Sequence, residues 1–347
     1  MAISSNASNA VIAKARAVFG HSLSAEDYIL LSSKESVSDV CAYLKQTARY
    51  GAALSAVNPQ TVHRGQLEAV LKRSVFDIFE NFHKFDFTES KKFFEYIVMR
   101  QEIDVILSAL QAIESGNSEG FITRLPMFLT KHSQTDLAAF GTARNYVEAA
   151  GLLAGTTFAK PLGELLINAA ESGKLDIGKC ERRLYTHYYM SILKNVEKDF
   201  RGGEKKELKR AILRSIDMQN VVMLYRYTRF FGADDSSVKD VLIPFKYRLS
   251  DEAIERLAAQ KDIAKIAAEL ESIGYKAGGD KPDSVELLTE RISLDSLRKT
   301  MRLSQSSAVV YFAFAECLGI EVNNIMTLIE GVRYGLSGSD ILDMIVI

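Results

Sequence analysis

Two stretches decide how this chain is read: DMQNVVMLYRYTRFFG, Asp217–Gly232, and EVNNIMTLIEGVRYG, Glu321–Gly335. Each carries an acid, two further residues, an Asn, then Val or Ile, with Leu four after the Asn and an Arg–aromatic–Gly close. Glycine after a last helical turn is the expected stop, because it accepts a left-handed backbone. A weaker copy stands upstream in RQEIDVILSALQAIESG, with Asp104 in the Asn position and no acid three residues before it. Another helical stretch precedes each copy: Leu71, Leu184 and Ile292 lie 33, 36 and 32 residues before Asp104, Asn220 and Asn324. Leu125-Pro126 and Ile243-Pro244 follow the first two copies. Pro244 lies 12 residues after Gly232, and Ile347 lies 12 after Gly335, so the next proline turn is expected where the chain stops.

The copies are spaced by 116 and 104 residues, too far apart for helical solenoids, whose units run ~34–47 residues. Repeats of this size predict three homologous helical bundles, over 1–126, 127–244 and 245–347, with helices near the N-terminus and the boundaries open to exchange. Set around a pseudo-threefold axis, three similar faces would leave a central hollow. The predicted class is all-α. In QLEAVLKRSVFDIFENF the positions Leu67, Val70, Leu71, Val75, Ile78, Phe79 and Phe82 follow the i, i+3, i+4, i+7 template. Ser24, Thr88 and Ser250 mark helix starts, since their oxygens can accept from exposed N–H groups. Breaks are expected at Asn58-Pro59, Gly116, Gly202-Gly203, Gly278-Gly279 and Pro282.

Composition narrows the function classes. A formal net charge of −1 argues against a nucleic-acid surface, which needs a clustered excess of Lys and Arg. Cys41, Cys180 and Cys317 form no CxxC pair, which fits a reducing compartment and neither a disulfide framework nor a zinc site. The most apolar run, Ala308–Ala315, is closed by Glu316, short of the ~20 apolar residues of a spanning helix. The expected location is therefore the cytosol, with no signal peptide and no insertion into the membrane.

Catalytic motifs are scarce. GKLDIGKC, Gly173–Cys180, resembles a phosphate loop but puts Cys where a hydroxyl must hold magnesium; that reading requires a buried strand before Gly173. The histidines His21, His63, His83, His132 and His187 include no pair four apart, so a helical metal pair is not expected. The residues point to no catalytic site, cofactor or metal. The basic-leaning turn EKDFRGGEKKELKR, Glu197–Arg210, reads as a helix connection or a docking loop.

With the repeat laid out, the chain resembles the C subunit of archaeal and bacterial V/A-type rotary ATPases, a relative of the eukaryotic V-ATPase subunit d. The resemblance runs over most of the chain, through NAVIAKARAV, SVSDVCAYLKQTARYG, RQEIDVILSAL, DMQNVVMLYRY with VLIPFKYRLS, and EVNNIMTLIEGVRYG, in that order. It implies a non-catalytic, funnel-shaped adaptor of the central stalk, peripheral to the membrane on the cytoplasmic side. Such an adaptor sits on the membrane ring of proteolipid subunits and receives the shaft, built of D- and F-type subunits. It passes torque for ATP-coupled H⁺ or Na⁺ transport. Asp104, Asn220 and Asn324 are expected to be structural, holding helix crossings. Gly202, Gly203 and Lys205, together with Lys276 and Lys281, mark the loops expected to touch partners. The rival reading is an all-helical scaffold or regulatory adaptor unrelated to a rotor.

Overall fold

The computed structural model describes residues 5–84, 88–116, 125–231, 238, 240–278 and 283–347. Among these residues the chain forms fifteen α-helices, one 3₁₀ turn and no strand, as the helical periodicity predicts. The two expected cap serines, Ser24 and Ser250, each accept a hydrogen bond from the third backbone N–H of the helix they open. Ser36, Asp136, Asn145, Asp176, Ser284, Ser306 and Ser337 do the same at other helices. Such caps contribute typically ~1 kcal/mol each, because they satisfy donors that the helix itself leaves unpaired. Thr88 is the first residue of its helix.

The elements recur in the order the repeat demands. Long consecutive helices come as α4 (Arg64–Lys84) and α5 (Thr88–Ser115), α9 (Ile177–Asp199) and α10 (Gly202–Phe231), then α13 (Val285–Leu303) and α14 (Ser307–Arg333). Asp104, Asn220 and Asn324 lie on the second helix of each pair; Leu71, Leu184 and Ile292 are buried on the first. Short helices precede each pair: α2 (Ala25–Ser32) and α3 (Val37–Leu44); α6 (Leu137–Thr142), α7 (Tyr146–Leu153) and α8 (Ala159–Ser172); α11 (Asp251–Ala258) and α12 (Ile263–Ser272). Helix α1 (Ser5–Phe19) opens the chain and α15 (Gly338–Asp343) follows α14.

Two compact units contain these elements. The first comprises Met1–Lys91, Arg201–Asp235 and Lys246–Ile347; the second comprises Lys92–Phe200 and Ser236–Phe245. In the first unit α14 is the central helix, packed by α1, α4, α10 and α13. By length and composition α14 could cross a bilayer, but 61% of its most apolar window is buried inside the protein. Its Tyr311 and Phe314 form an aromatic cluster with Phe79 and Phe82 of α4, ring centroids 5.2–6.2 Å apart. In the second unit α8 packs on α7 and α9. The Tyr96 hydroxyl of α5 donates to the Ser191 carbonyl of α9 at 3.0 Å, and Asn195 donates to that hydroxyl.

Candidate functional site

Three buried carboxylates, one on the second long helix of each pair, recur in a shared arrangement. Asp217 of α10 accepts from the backbone N–H groups of Tyr247, Arg248 and Leu249 at 2.9, 2.7 and 3.3 Å. Leu249 immediately precedes Ser250, the cap of α11. Glu102 of α5 accepts from Gln134 and Thr135 at 2.8 and 3.3 Å, and Thr135 immediately precedes Asp136, the cap of α6. Glu321 of α14 accepts from Leu23 at 3.3 Å, and Leu23 immediately precedes Ser24, the cap of α2. Each acid therefore grips the residue before a capped short helix. A carboxylate can accept from several donors at once, which makes it the side chain suited to collecting the free N–H groups of an incoming loop.

A second contact recurs with it. In the last turn of the second short helix of each set, α3, α7 and α12, stands a buried Leu, followed five or six residues on by a fully buried aromatic: Leu44 and Tyr50, Leu153 and Phe158, Leu270 and Tyr275. The Tyr50 hydroxyl donates to Glu321 at 2.7 Å and the Tyr275 hydroxyl to Asp217 at 2.6 Å. Burial first, and the adjoining carboxylate second, push both phenols well above their ordinary range, so they stay protonated as donors. Phe158, the aromatic at the matching sequence position, has no hydroxyl, and Glu102 accepts from the Ser133 hydroxyl at 2.6 Å.

The joints differ in charge compensation. Arg49 pairs with Glu321 at 3.3 Å, the two side chains only 3% and 7% exposed. The guanidinium groups of Arg214 and Arg248 lie over the Tyr275 ring, 5.7 and 5.6 Å from its centroid. Glu102 is 1% exposed, and burial raises its carboxyl above the ordinary range against the opposing pull of its Ser133, Gln134 and Thr135 donors. A buried carboxylate held by hydrogen bonds alone bears an uncompensated desolvation cost.

The structure places the residues expected from the repeat as follows. Asn324 is buried; its amide donates to the Val346 carbonyl at 2.5 Å and its oxygen accepts from the Val346 N–H at 3.1 Å, tying α14 to the segment after α15. Asn220 is buried on α10. Asp104 is exposed on α5 and accepts from the Tyr185 hydroxyl of α9 at 3.2 Å. Matching the joints puts Glu102 with Asp217 and Glu321, so Val105 holds the Asn position and the first copy shifts by one residue. Sequence comparison missed Glu102 for that reason. It also missed that residues 23 and 50 complete the third copy; the recurring LKQTARY, LAGTTF and LESIGY were the available signal.

Gly202 opens α10 with φ +59° and Gly203 and Lys205 lie within that helix, so the expected break is confined to Phe200 and Arg201. Lys276 is exposed and lies 3.5 Å from Glu271. Lys281 falls outside the described residues. Helix α8, not a strand, precedes Gly173, so Gly173–Cys180 is a turn between helices and not a phosphate loop. Among the described residues no group of three or more His, Cys, Asp or Glu side chains could hold a metal ion.

Comparison with known proteins agrees with this architecture. The family model described as ATP synthase (C/AC39) subunit matches residues 11–344. No curated protein matches the chain. The chain belongs to the ATP synthase (C/AC39) subunit family and has its place in a V/A-type ATP synthase complex.

Proposed function

We propose that this member of the ATP synthase (C/AC39) subunit family is the non-catalytic adaptor of the central stalk. In this reading it seats the rotor shaft, of D- and F-type subunits, on the membrane proteolipid ring. It transmits torque between ATP turnover in the catalytic head and H⁺ or Na⁺ transport. It works on the cytoplasmic side, held to the membrane through the complex and not inserted itself.

The observation that carries this reading is the family match over residues 11–344, joined to an acid joint that recurs with each long-helix pair. A part that transmits torque needs stiffness, and buried carboxylates that fix the entry of each short helix supply it without a cofactor. The same recurrence supports three homologous bundles around a pseudo-threefold axis, with a hollow for the shaft. Partner contacts are assigned to the helix ends near Gly202, Gly203 and Lys205, and near Lys276 and Lys281. Charge reversal at those lysines that left assembly intact would discard that assignment.

The test is gentle detergent extraction of native membranes with the tagged chain as bait, followed by mass spectrometry of intact complexes. Recovery of the proteolipid ring together with shaft and head subunits is the expected result. Recovery of the chain alone, from membranes that contain the rotary machine, would overturn the reading.

A further inference from the structure

We infer that the segment from Arg16 to Tyr50 is a closing strap, whose side-chain ties carry shear across a seam that the peptide chain does not bridge nearby. This rests on the rotor-adaptor reading. In the Glu102 and Asp217 joints, the acid and the amide it grips are 33 and 32 residues apart. In the Glu321 joint they are 298 apart. Load crossing the first two joints is shared with a short covalent connection. Load crossing the third passes only through side chains and packed surfaces.

The apolar part of that seam is extensive: Leu23, Tyr28 and Leu31 are buried in one core with Ile325, Leu328 and Ile329. Apolar burial resists separation but is non-directional, so it opposes sliding less well than groups whose geometry is fixed. Directional ties stand where sliding must be stopped. The Arg16 guanidinium donates to the carbonyls of Met301, Arg302 and Ser304 at 2.8, 3.2 and 2.7 Å, closing the end of α13 from 285–288 residues away. Arg49 donates to Glu321 at 3.3 Å and to the Val18 carbonyl at 3.1 Å, binding α1, the strap and α14 together. The Tyr50 hydroxyl adds a third donor to Glu321. A planar guanidinium offers five donors in a fixed fork, and Arg16 uses it to engage three separate carbonyls.

The experiment uses full-length Arg16→Ala, Arg16→Lys and Glu321→Gln, each as the free chain and within the assembled rotary complex. Arg256→Ala serves as control, because it removes a more exposed ion pair in the same unit. Hydrogen exchange on the free chain reads the Leu23 amide, and proteoliposomes read ions transported per ATP hydrolysed as the opposing gradient builds. Glu321→Gln is expected to speed Leu23 exchange about tenfold, as loss of a charge-assisted buried hydrogen bond would. Arg16→Ala, on a part-exposed side chain, keeps the inference testable where Glu321→Gln fails to fold. It should keep ATP hydrolysis while transport per ATP falls under load, with Arg16→Lys intermediate and Arg256→Ala unchanged. Faster exchange with unchanged coupling would overturn the role in carrying shear, and unchanged Leu23 exchange in Glu321→Gln would overturn the strap. A wild-type chain that enters no rotary complex would instead remove the reading beneath both.

Discussion

The backbone N–H of Leu23 lies 3.3 Å from the Glu321 carboxylate, 298 positions away along the chain. That carboxylate also holds Tyr50 and Arg49, so one side chain of α14 organises three positions of the N-terminal segment. Among the described residues Arg49 Nη2 and the Ser22 hydroxyl have no hydrogen-bond partner. Taking the charge from such a pair leaves a buried cation uncompensated and costs about 3–5 kcal/mol. Glu321→Gln should therefore lower unfolding free energy by about 3 kcal/mol or more, measured by urea denaturation at neutral pH.

Glu102→Gln should behave in the opposite way. Its carboxyl is raised above 4.5 by burial, so the native state holds a proton more tightly than the unfolded chain does. Stability contributed at this site is greatest below the ordinary carboxylate range and falls as pH climbs from about 4.5 through the raised value. Glutamine retains an acceptor oxygen for Ser133, Gln134 and Thr135 without the charge. The variant should be within about 1 kcal/mol of wild type or more stable at pH 7. It should also flatten stability against pH in that acidic window; an unchanged slope would refute the assignment.

Tyr275→Phe removes a 2.6 Å donor from Asp217 while leaving the ring in place. Hydrogen bonds to charged groups are worth about 1.5–3 kcal/mol, and the loss should fall in that range. The Glu102 joint already works without a phenol, because Ser133 supplies the hydroxyl donor. Ser133→Ala should weaken that joint while the Tyr275 joint stays intact, as read by amide exchange at Thr135 and Leu249.

Gly331 sits where α14 meets α15. A Cβ there would stand 2.6 Å from Ile341 Cγ1, and Ile341 is fully buried. Gly331→Val should force the two elements apart and destabilise by about 1–3 kcal/mol. Exchange should rise first at Val346, whose amide is held by Asn324. Thermal unfolding equal to wild type would sink the prediction.

Much of the fold was legible in the residues. Helical periodicity, cap serines and the recurrence of the Asp217 and Glu321 phrases led directly to long-helix pairs, because these signals are local. The joints were legible only in part. Asn324 was singled out for its position, yet its partner is a backbone segment 22 residues on, which spacing cannot reveal. Glu102 was hidden by a one-residue shift. Which donors fill each carboxylate depends on tertiary approach, and Ser133 doing the work of a phenol is a substitution no single-sequence pattern encodes.

The buried face of α2 and α3 has a consequence for synthesis. Leu23, Tyr28, Leu31 and Val40 leave the ribosome early, whereas their partners Ile325, Leu328 and Ile329 emerge about 300 residues later. At about 5–20 residues per second, that apolar face waits roughly 15–60 s on the nascent chain before its cover arrives. For that interval the unfinished protein is a natural client for chaperones that shield exposed apolar surface.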